Sequence, residues 1–243
     1  MRKSPSEIVE IAAETGLGEV VDRYRQSVAI EMSFAVTCGA LGLFALLFGD
    51  NVGKGIGAAA SGLAVLFAVP AWLKSRKHLY LCAGGLLTTT GKTTVTSLLT
   101  WNDVAHIRIW TTRIYQLGPA EDMQRCVLEL KNGKRLNLAK PPYAGGEHLA
   151  AAIEQRLATL SYPRRAAEIA ETGATVFGPI TVTAEGVRDG ERFASWSDIT
   201  RVERGRVRLR IWTGARRPAI SRQVRKIPDV NVLMTIASRS GSA

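Results

Sequence analysis

Three histidines and three cysteines are all the imidazole and thiol groups this 243-residue chain possesses, and their spacing excludes the usual uses of both. His78, His106 and His148 lie far apart with no partner at ligand spacing, so no metal site is expected. Cys38, Cys82 and Cys126 form an odd, scattered set rather than a disulfide framework, and read as small buried hydrophobes in a reducing compartment. A Gly-x-Ser-x-Gly elbow is missing too, as is any carboxylate pair that stands out from ordinary surface charge. Thr90-Gly91-Lys92-Thr93-Thr94 ends like a phosphate loop, but Leu86 stands where that motif needs glycine, and Val95 to Leu99 is strand material where a helix should follow. The expectation is a protein that is no enzyme, with no catalytic residue and no cofactor.

Charge is absent from two long stretches. Met32 to Gly49 and Gly55 to Leu73 are apolar runs of 18 and 19 residues without one Asp, Glu, Lys or Arg, separated by Asp50 to Lys54. As helices they would span roughly 27 and 28 Å, close to the ~30 Å hydrocarbon core of a bilayer, so they read as a transmembrane hairpin. The first thirty-one residues hold six acids and no early apolar stretch, unlike a cleavable signal peptide. Arg23 and Arg25 precede the first run, and Lys74, Arg76 and Lys77 follow the second, whereas the connector offers only Lys54 against Asp50. The positive-inside rule then places both termini in the cytoplasm and the connector outside a cytoplasmic membrane crossed twice. Gly39, Gly42 and the small residues from Gly53 to Gly62 give a surface suited to close packing within the hairpin.

Around the hairpin, residues 1–31 read as a cytoplasmic amphipathic helix, capped near Ser4 and closed at Gly16-Leu17-Gly18, with a short piece from Glu19 to Gln26 running toward the first span. After Lys77 the period becomes strand-like, with glycine turns every few residues: His78 to Ala83, Leu86 to Thr90, Thr93 to Leu99, Trp101 to Trp110, and a hairpin from Cys126 to Leu138 turning on Asn132-Gly133. A helix from about Gly146 to Leu160 follows, and Pro163 opens another that ends at Gly173. Strand pattern then restarts at Thr175 to Thr183, and a final short helix is expected over Asp229 to Ser238. Trp101-Asn-Asp-Val and Trp196-Ser-Asp-Ile, each preceded by strand, Gly turn and strand, indicate a duplication. The fold class is thus a membrane-anchored α+β protein: the hairpin at 32–73, a sheet-plus-helix unit at 78–160, and a helix with a second, shorter unit at 163–243.

This layout, with His78-Leu-Tyr-Leu, Gly85-Leu86 and Trp101-Asn-Asp-Val, then Val176-Phe-Gly-Pro-Ile-Thr-Val-Thr, Gly186-Val187, Trp196-Ser-Asp-Ile and Ile227-Pro-Asp-Val, resembles an uncharacterised family of actinobacterial membrane proteins, a domain-of-unknown-function family. The resemblance implies cytoplasmic modules of the pleckstrin-homology type and brings no activity and no site residues. The second copy, Thr175 to Arg239, is short for a seven-stranded module, leaving a complete domain and a partial sheet both open.

The net charge of +11 is unevenly spread: residues 201–226 alone carry ten basic residues against Glu203, a local +9. Within Arg204-Gly-Arg206-Val-Arg208-Leu-Arg210-Ile-Trp212, strand period places the four arginines and Trp212 on one face, with Arg216 and Arg217 just beyond. Guanidinium groups so crowded call for solvent or anions, and their fork suits phosphate. A solvated edge strand guarded by charge accounts for the same pattern. The leading expectation is an integral membrane protein whose module engages anionic phospholipid headgroups or an acidic protein partner through Arg204, Arg206, Arg208, Arg210, Arg216 and Arg217. Nucleic-acid binding by the same strand is the alternative, weakened by the lack of a helix-turn-helix pattern or a stacking set of aromatics; an enzyme with an unrecognised site comes third.

Overall fold

The computed structural model describes residues 6–91, 94–114, 121–138, 143–214 and 216–240. The chain divides into two compact units, residues 1–100 with 141–144, and residues 101–140 with 145–243.

In the first unit a helix α1 (Ser6–Glu14) precedes a strand β1 (Val20–Arg25), two long helices α2 (Ala29–Phe48) and α3 (Asn51–Ser75), and three strands β2 (Lys77–Cys82), β3 (Gly85–Thr90) and β4 (Thr94–Thr100). The four strands form one antiparallel sheet in sequence order. Residues 19–26 therefore do not run as a connector toward the first span. Val20-Val21 favours extended backbone, and Arg23, Tyr24 and Arg25 pair with Tyr80, Leu79 and His78, so β1 closes the sheet edge. The amphipathic helix covers part of one face of this sheet: Ile8, Ala12 and Leu17 pack on Tyr80, Cys82 and Leu87, all buried. Val9 of the same helix is exposed.

Helices α2 and α3 are both long and apolar enough to cross a membrane. The connector between them is shorter than the charges suggested. Only Gly49 and Asp50 are non-helical, because the Asp50 carboxylate accepts the Gly53 amide at 2.8 Å and starts α3 four residues early. The small residues serve the close approach of the pair: a Cβ on Gly42 would lie 2.6 Å from Ser61 Oγ, and one on Gly57 would lie 2.8 Å from the Gly42 carbonyl. At the other end Lys74 Nζ reaches Glu31 at 2.5 Å, tying the last turn of α3 to the first turn of α2. Outside that seam the helices bury little. Phe34, Leu41, Phe44, Leu47, Ile56 and Leu66 are each more than half exposed, and Ala35, Gly42, Gly57 and Ala71 are the buried positions.

The second unit begins with a three-stranded meander β5 (Val104–Ile114), β6 (Glu121–Leu130) and β7 (Arg135–Asn137), whose last turn is the expected Asn132-Gly133 with Gly133 at φ +80°. Helix α4 (Gly146–Thr172) is one helix, not two. Pro163 removes one backbone donor but has the helical φ, and Leu157, Tyr162, Arg165 and Ile169 on either side of it stay buried or half-buried on the unit's interior side. Gly173, left-handed at φ +80°, ends it as expected. Four strands β8 (Ala174–Phe177), β9 (Ile180–Thr183), β10 (Gly186–Asp189) and β11 (Arg192–Ser195) form a second meander, so Thr175 to Thr183 is a hairpin folded at Gly178-Pro179 rather than one strand. A third meander β12 (Arg201–Arg204), β13 (Arg208–Trp212) and β14 (Ile220–Gln223) and a helix α5 (Val230–Ser240) complete the chain. Phe177, Ile180, Val187, Leu209, Ile211 and Leu233 lie at the centre of this core and are fully buried.

The order of elements occurs twice: a four-stranded meander, a Trp-x-Asp turn, a three-stranded meander, a helix. Trp101 opens a short 3-10 turn between β4 and β5, and Trp196 sits in the turn between β11 and β12. Both are buried, at 6% and 8% exposure, so they occupy equivalent places in turns instead of at strand starts. The second copy has its full seven strands. What distinguishes the first is that α2 and α3 are inserted between its first and second strands, where the second copy has Gly178-Pro179.

Candidate anionic-ligand surface

The basic segment is a hairpin, not one strand. Gly205 to Val207 turn the chain between β12 and β13, and the register pairs Arg201 with Trp212, Glu203 with Arg210, and Arg204 with Leu209. Opposed residues share a face, so Arg204 points with Leu209 toward the core while Arg208, Arg210 and Trp212 point away from it. The expectation that four arginines line one face fails at Arg204 and Arg206, because the turn breaks the alternation on which it rested.

Each predicted residue has a definite place. Arg204 Nη1 is 2.7 Å from Glu154 Oε1 on α4 and 2.7 Å from Asn231 Oδ1 on α5, both inside the second unit. Burial raises the Glu154 carboxyl above the ordinary range and the Arg204 charge and hydrogen bond oppose this, which marks Arg204 as the internal counter-ion of a buried acid. Arg206, in the turn, pairs with Asp122 at the surface. Arg208 and Arg210 lie on the outer face, Arg208 donating to Ser221 Oγ at 3.2 Å and Arg210 lying 3.6 Å from Glu203. Arg216 and Arg217 are exposed in the β13–β14 loop.

A residue missing from the sequence-based set joins them: Arg201, whose guanidinium sits 4.8 Å from the Trp212 ring centroid and 3.6 Å from Glu203. The outer face thus presents three arginines, an aromatic ring and one partly exposed carboxylate, with Arg216 and Arg217 at its loop. Such a face attracts anions without enclosing one, since exposed pairs like these hold each other weakly.

Sequence reasoning also passed over Asp229. Its carboxylate is 5% exposed and fully engaged: Oδ1 accepts the Ile107 amide at 2.9 Å, and Oδ2 is 2.9 Å from His106 Nδ1 and 3.7 Å from Arg165 Nη2. Arg165 in turn donates to Glu168 at 2.9 Å and to Thr175 Oγ1 at 3.1 Å. Asp229 has φ +51°, a left-handed conformation that aspartate tolerates better than most residues. Asp229 directly follows Ile227-Pro228, so a polar residue after proline and before the last helix was the available signal. This cluster locks α4, β5, β8 and the start of α5 together within the second unit; it leaves the carboxylate no open position for a substrate.

Among the described residues no group of three or more His, Cys, Asp or Glu is placed to hold a metal. The three cysteines are free thiols, and burial pushes Cys82 up to about 11 and Cys126 up to about 12, so neither is a thiolate nucleophile at neutral pH. Lys92 and Thr93 of the phosphate-loop-like segment lie outside the described residues; Gly91 before them is a left-handed turn residue after β3.

The chain belongs to a family of unknown function, DUF6585, which matches residues 1–243. No curated protein and no solved structure matches it.

Proposed function

We propose that this member of the family is a non-enzymatic integral protein of the cytoplasmic membrane, anchored by α2 and α3 with both termini inside, that presents two pleckstrin-homology-like copies to the inner leaflet. The observation that carries the reading is the exposure of α2 and α3. Helices of this length in a soluble core would be mostly covered, whereas these show large aliphatic and aromatic side chains over most of their surface, far beyond the few hundred Å² a soluble monomer tolerates. The twice-repeated order of four strands, three strands and a terminal helix supports the module assignment. Anionic headgroups are the favoured ligand of the Arg201, Arg208, Arg210, Arg216 and Arg217 surface, since each basic residue that comes near a charged leaflet contributes about 1 kcal/mol and the anchor tethers the module to that same membrane.

The test uses the whole chain in lipid nanodiscs with a fluorophore on Ser221→Cys at the outer face. Quenching by headgroup-labelled lipid should rise when neutral lipid is replaced by anionic lipid, fall with added salt, and be lost when Arg208, Arg210, Arg216 and Arg217 become glutamine. Equal quenching in neutral and anionic discs would reject the lipid reading, and tight salt-sensitive binding of duplex DNA in its place would favour nucleic acid.

A further inference from the structure

A second cationic site lies in the first unit and shares no residue with the arginine hairpin. A cleft of about 890 Å³ is lined by Arg23 and Arg25 of β1, His78 of β2, Ser75 and Arg76 at the end of α3, and Glu7 in the first turn of α1. Its floor follows from the sheet register. Arg25, His78 and Thr89 are neighbours across three strands, as are Arg23, Tyr80 and Leu87, so all six share one face. Helix α1 covers Tyr80 and Leu87, while Arg23, Arg25 and His78 on the same face line the cleft.

Three features of the cleft ask for an anion. Arg23, Arg25 and Arg76 form no ion pair among the described residues, and Glu7 is the one carboxylate in the lining, so three arginines line one cleft with their charge largely unanswered. His78 is 8% exposed, and its Nδ1, like Arg23 Nε, is buried without a hydrogen-bond partner; Thr89 Oγ1 opposite it is unpartnered as well. Buried polar atoms of that kind call for a hydrogen-bonding partner, which a water or a bound anion can supply. The local potential is already felt by the protein: burial first, then the charges of Arg23 and Arg25, holds the His78 imidazole down at about 4. The Arg76 guanidinium lies 3.7 Å from the Trp72 ring centroid, which fixes it at the mouth, one turn beyond the apolar part of α3.

We propose that this cleft is a phosphate site, in which Arg23, Arg25, Arg76 and His78 bind the phosphodiester of an anionic phospholipid headgroup. Guanidinium forks match phosphate oxygens, and a cleft of this size has room for a headgroup with its glycerol. The lipid source rests on the membrane reading above, since it needs α3 to deliver Ser75 and Arg76 at headgroup depth; the phosphate chemistry does not.

The experiment takes the full chain in neutral detergent, with histidine isotopically labelled, and titrates phosphatidylglycerol, phosphatidylcholine or inorganic phosphate while recording bound lipid by native mass spectrometry and the His78 titration by NMR. Phosphatidylglycerol should be retained about tenfold better than phosphatidylcholine, and should raise the His78 pKa, because a nearby anion favours imidazolium. Arg25→Gln with Arg76→Gln, both at exposed positions, should abolish that preference, while Arg208→Gln with Arg210→Gln should leave it intact, so that this site and the outer face fail separately. Displacement by inorganic phosphate with the same His78 shift would keep the phosphate site and remove the lipid as its source. Unchanged lipid retention in the Arg25 and Arg76 variant, or a His78 titration that no phosphate ligand moves, would overturn the proposal.

Discussion

The two copies differ most between their first and second strands. In the second, Phe177 and Ile180 are joined by Gly178-Pro179, with Gly178 at φ +64°. In the first, the chain leaves β1 at Arg25, runs through two helices of 20 and 25 residues, and returns at Lys77 to pair beside the strand it left. An antiparallel pair is indifferent to the length of its connection provided the ends come back together, and the cost of a longer loop grows only slowly. Here the Lys74–Glu31 pair and the small-residue seam bring the ends of the insert together. A repeat that folds on a two-residue turn can therefore accept a long apolar helical hairpin at that turn, and on the membrane reading proposed above the copy that accepts it would be held at the bilayer by both sides of one β-hairpin.

If the copies are equivalent, the two tryptophans should prove it first. Trp101→Ala and Trp196→Ala should each cost on the order of 3 to 5 kcal/mol as buried aromatics, read as comparable losses in denaturant midpoint in detergent. A severe loss at one and none at the other would break the equivalence. The Trp196 indole nitrogen donates to the Thr183 carbonyl at 3.1 Å, a bond that its replacement also removes.

The next contrast lies within the arginine hairpin. Arg204→Gln leaves Glu154 buried without its counter-ion and should lower stability by about 2 to 4 kcal/mol, whereas Arg208→Gln, on the outer face, should change it by no more than about 0.5 kcal/mol. Thermal unfolding of the two variants side by side measures the difference; equal effects would mean that the two arginines share a face after all.

The smallest effect expected is a pH dependence specific to the first unit. Because His78 titrates at about 4 in the fold and near 6.5 unfolded, the unfolded chain binds the extra proton between those values. Stability should therefore fall as pH drops through that window, by about 1 to 3 kcal/mol, and His78→Gln should flatten that part of the profile. An unchanged pH profile in the variant would place the depressed group elsewhere.

The sequence carried the hairpin and the repeat because both are written in composition: two uncharged runs and a tryptophan step. It carried the β6–β7 turn because Asn-Gly permits few alternatives. Three of the departures share a cause. Residues 19–26 are polar enough to pass as a linker, and only pairing with β2, fifty residues on, makes them a strand; Pro163 was read as a helix start because tertiary packing across it is invisible locally. The arginine face failed in the same way. Period 2 is reliable along a strand, but Gly205 was the turn signal inside it, and the core-facing role of Arg204 depends on Glu154 and Asn231, far away in sequence. The cleft at Arg23 and Arg76 was out of reach for the same reason, since the hairpin separates its two sides by fifty residues.

The account stands most directly on where the tip of the inserted hairpin lies. In intact cells, a membrane-impermeant thiol reagent should label Asn51→Cys at the α2–α3 connector and should not label Glu191→Cys in the exposed β10–β11 turn, with the unsubstituted protein as blank. Cys126 cannot serve as the inner reporter, because it is fully buried. Labelling at Asn51→Cys alone, with Glu191→Cys reacting only after the cells are opened, is the predicted result; labelling at Glu191→Cys in intact cells, or release of the protein from membranes by alkaline carbonate, would contradict it.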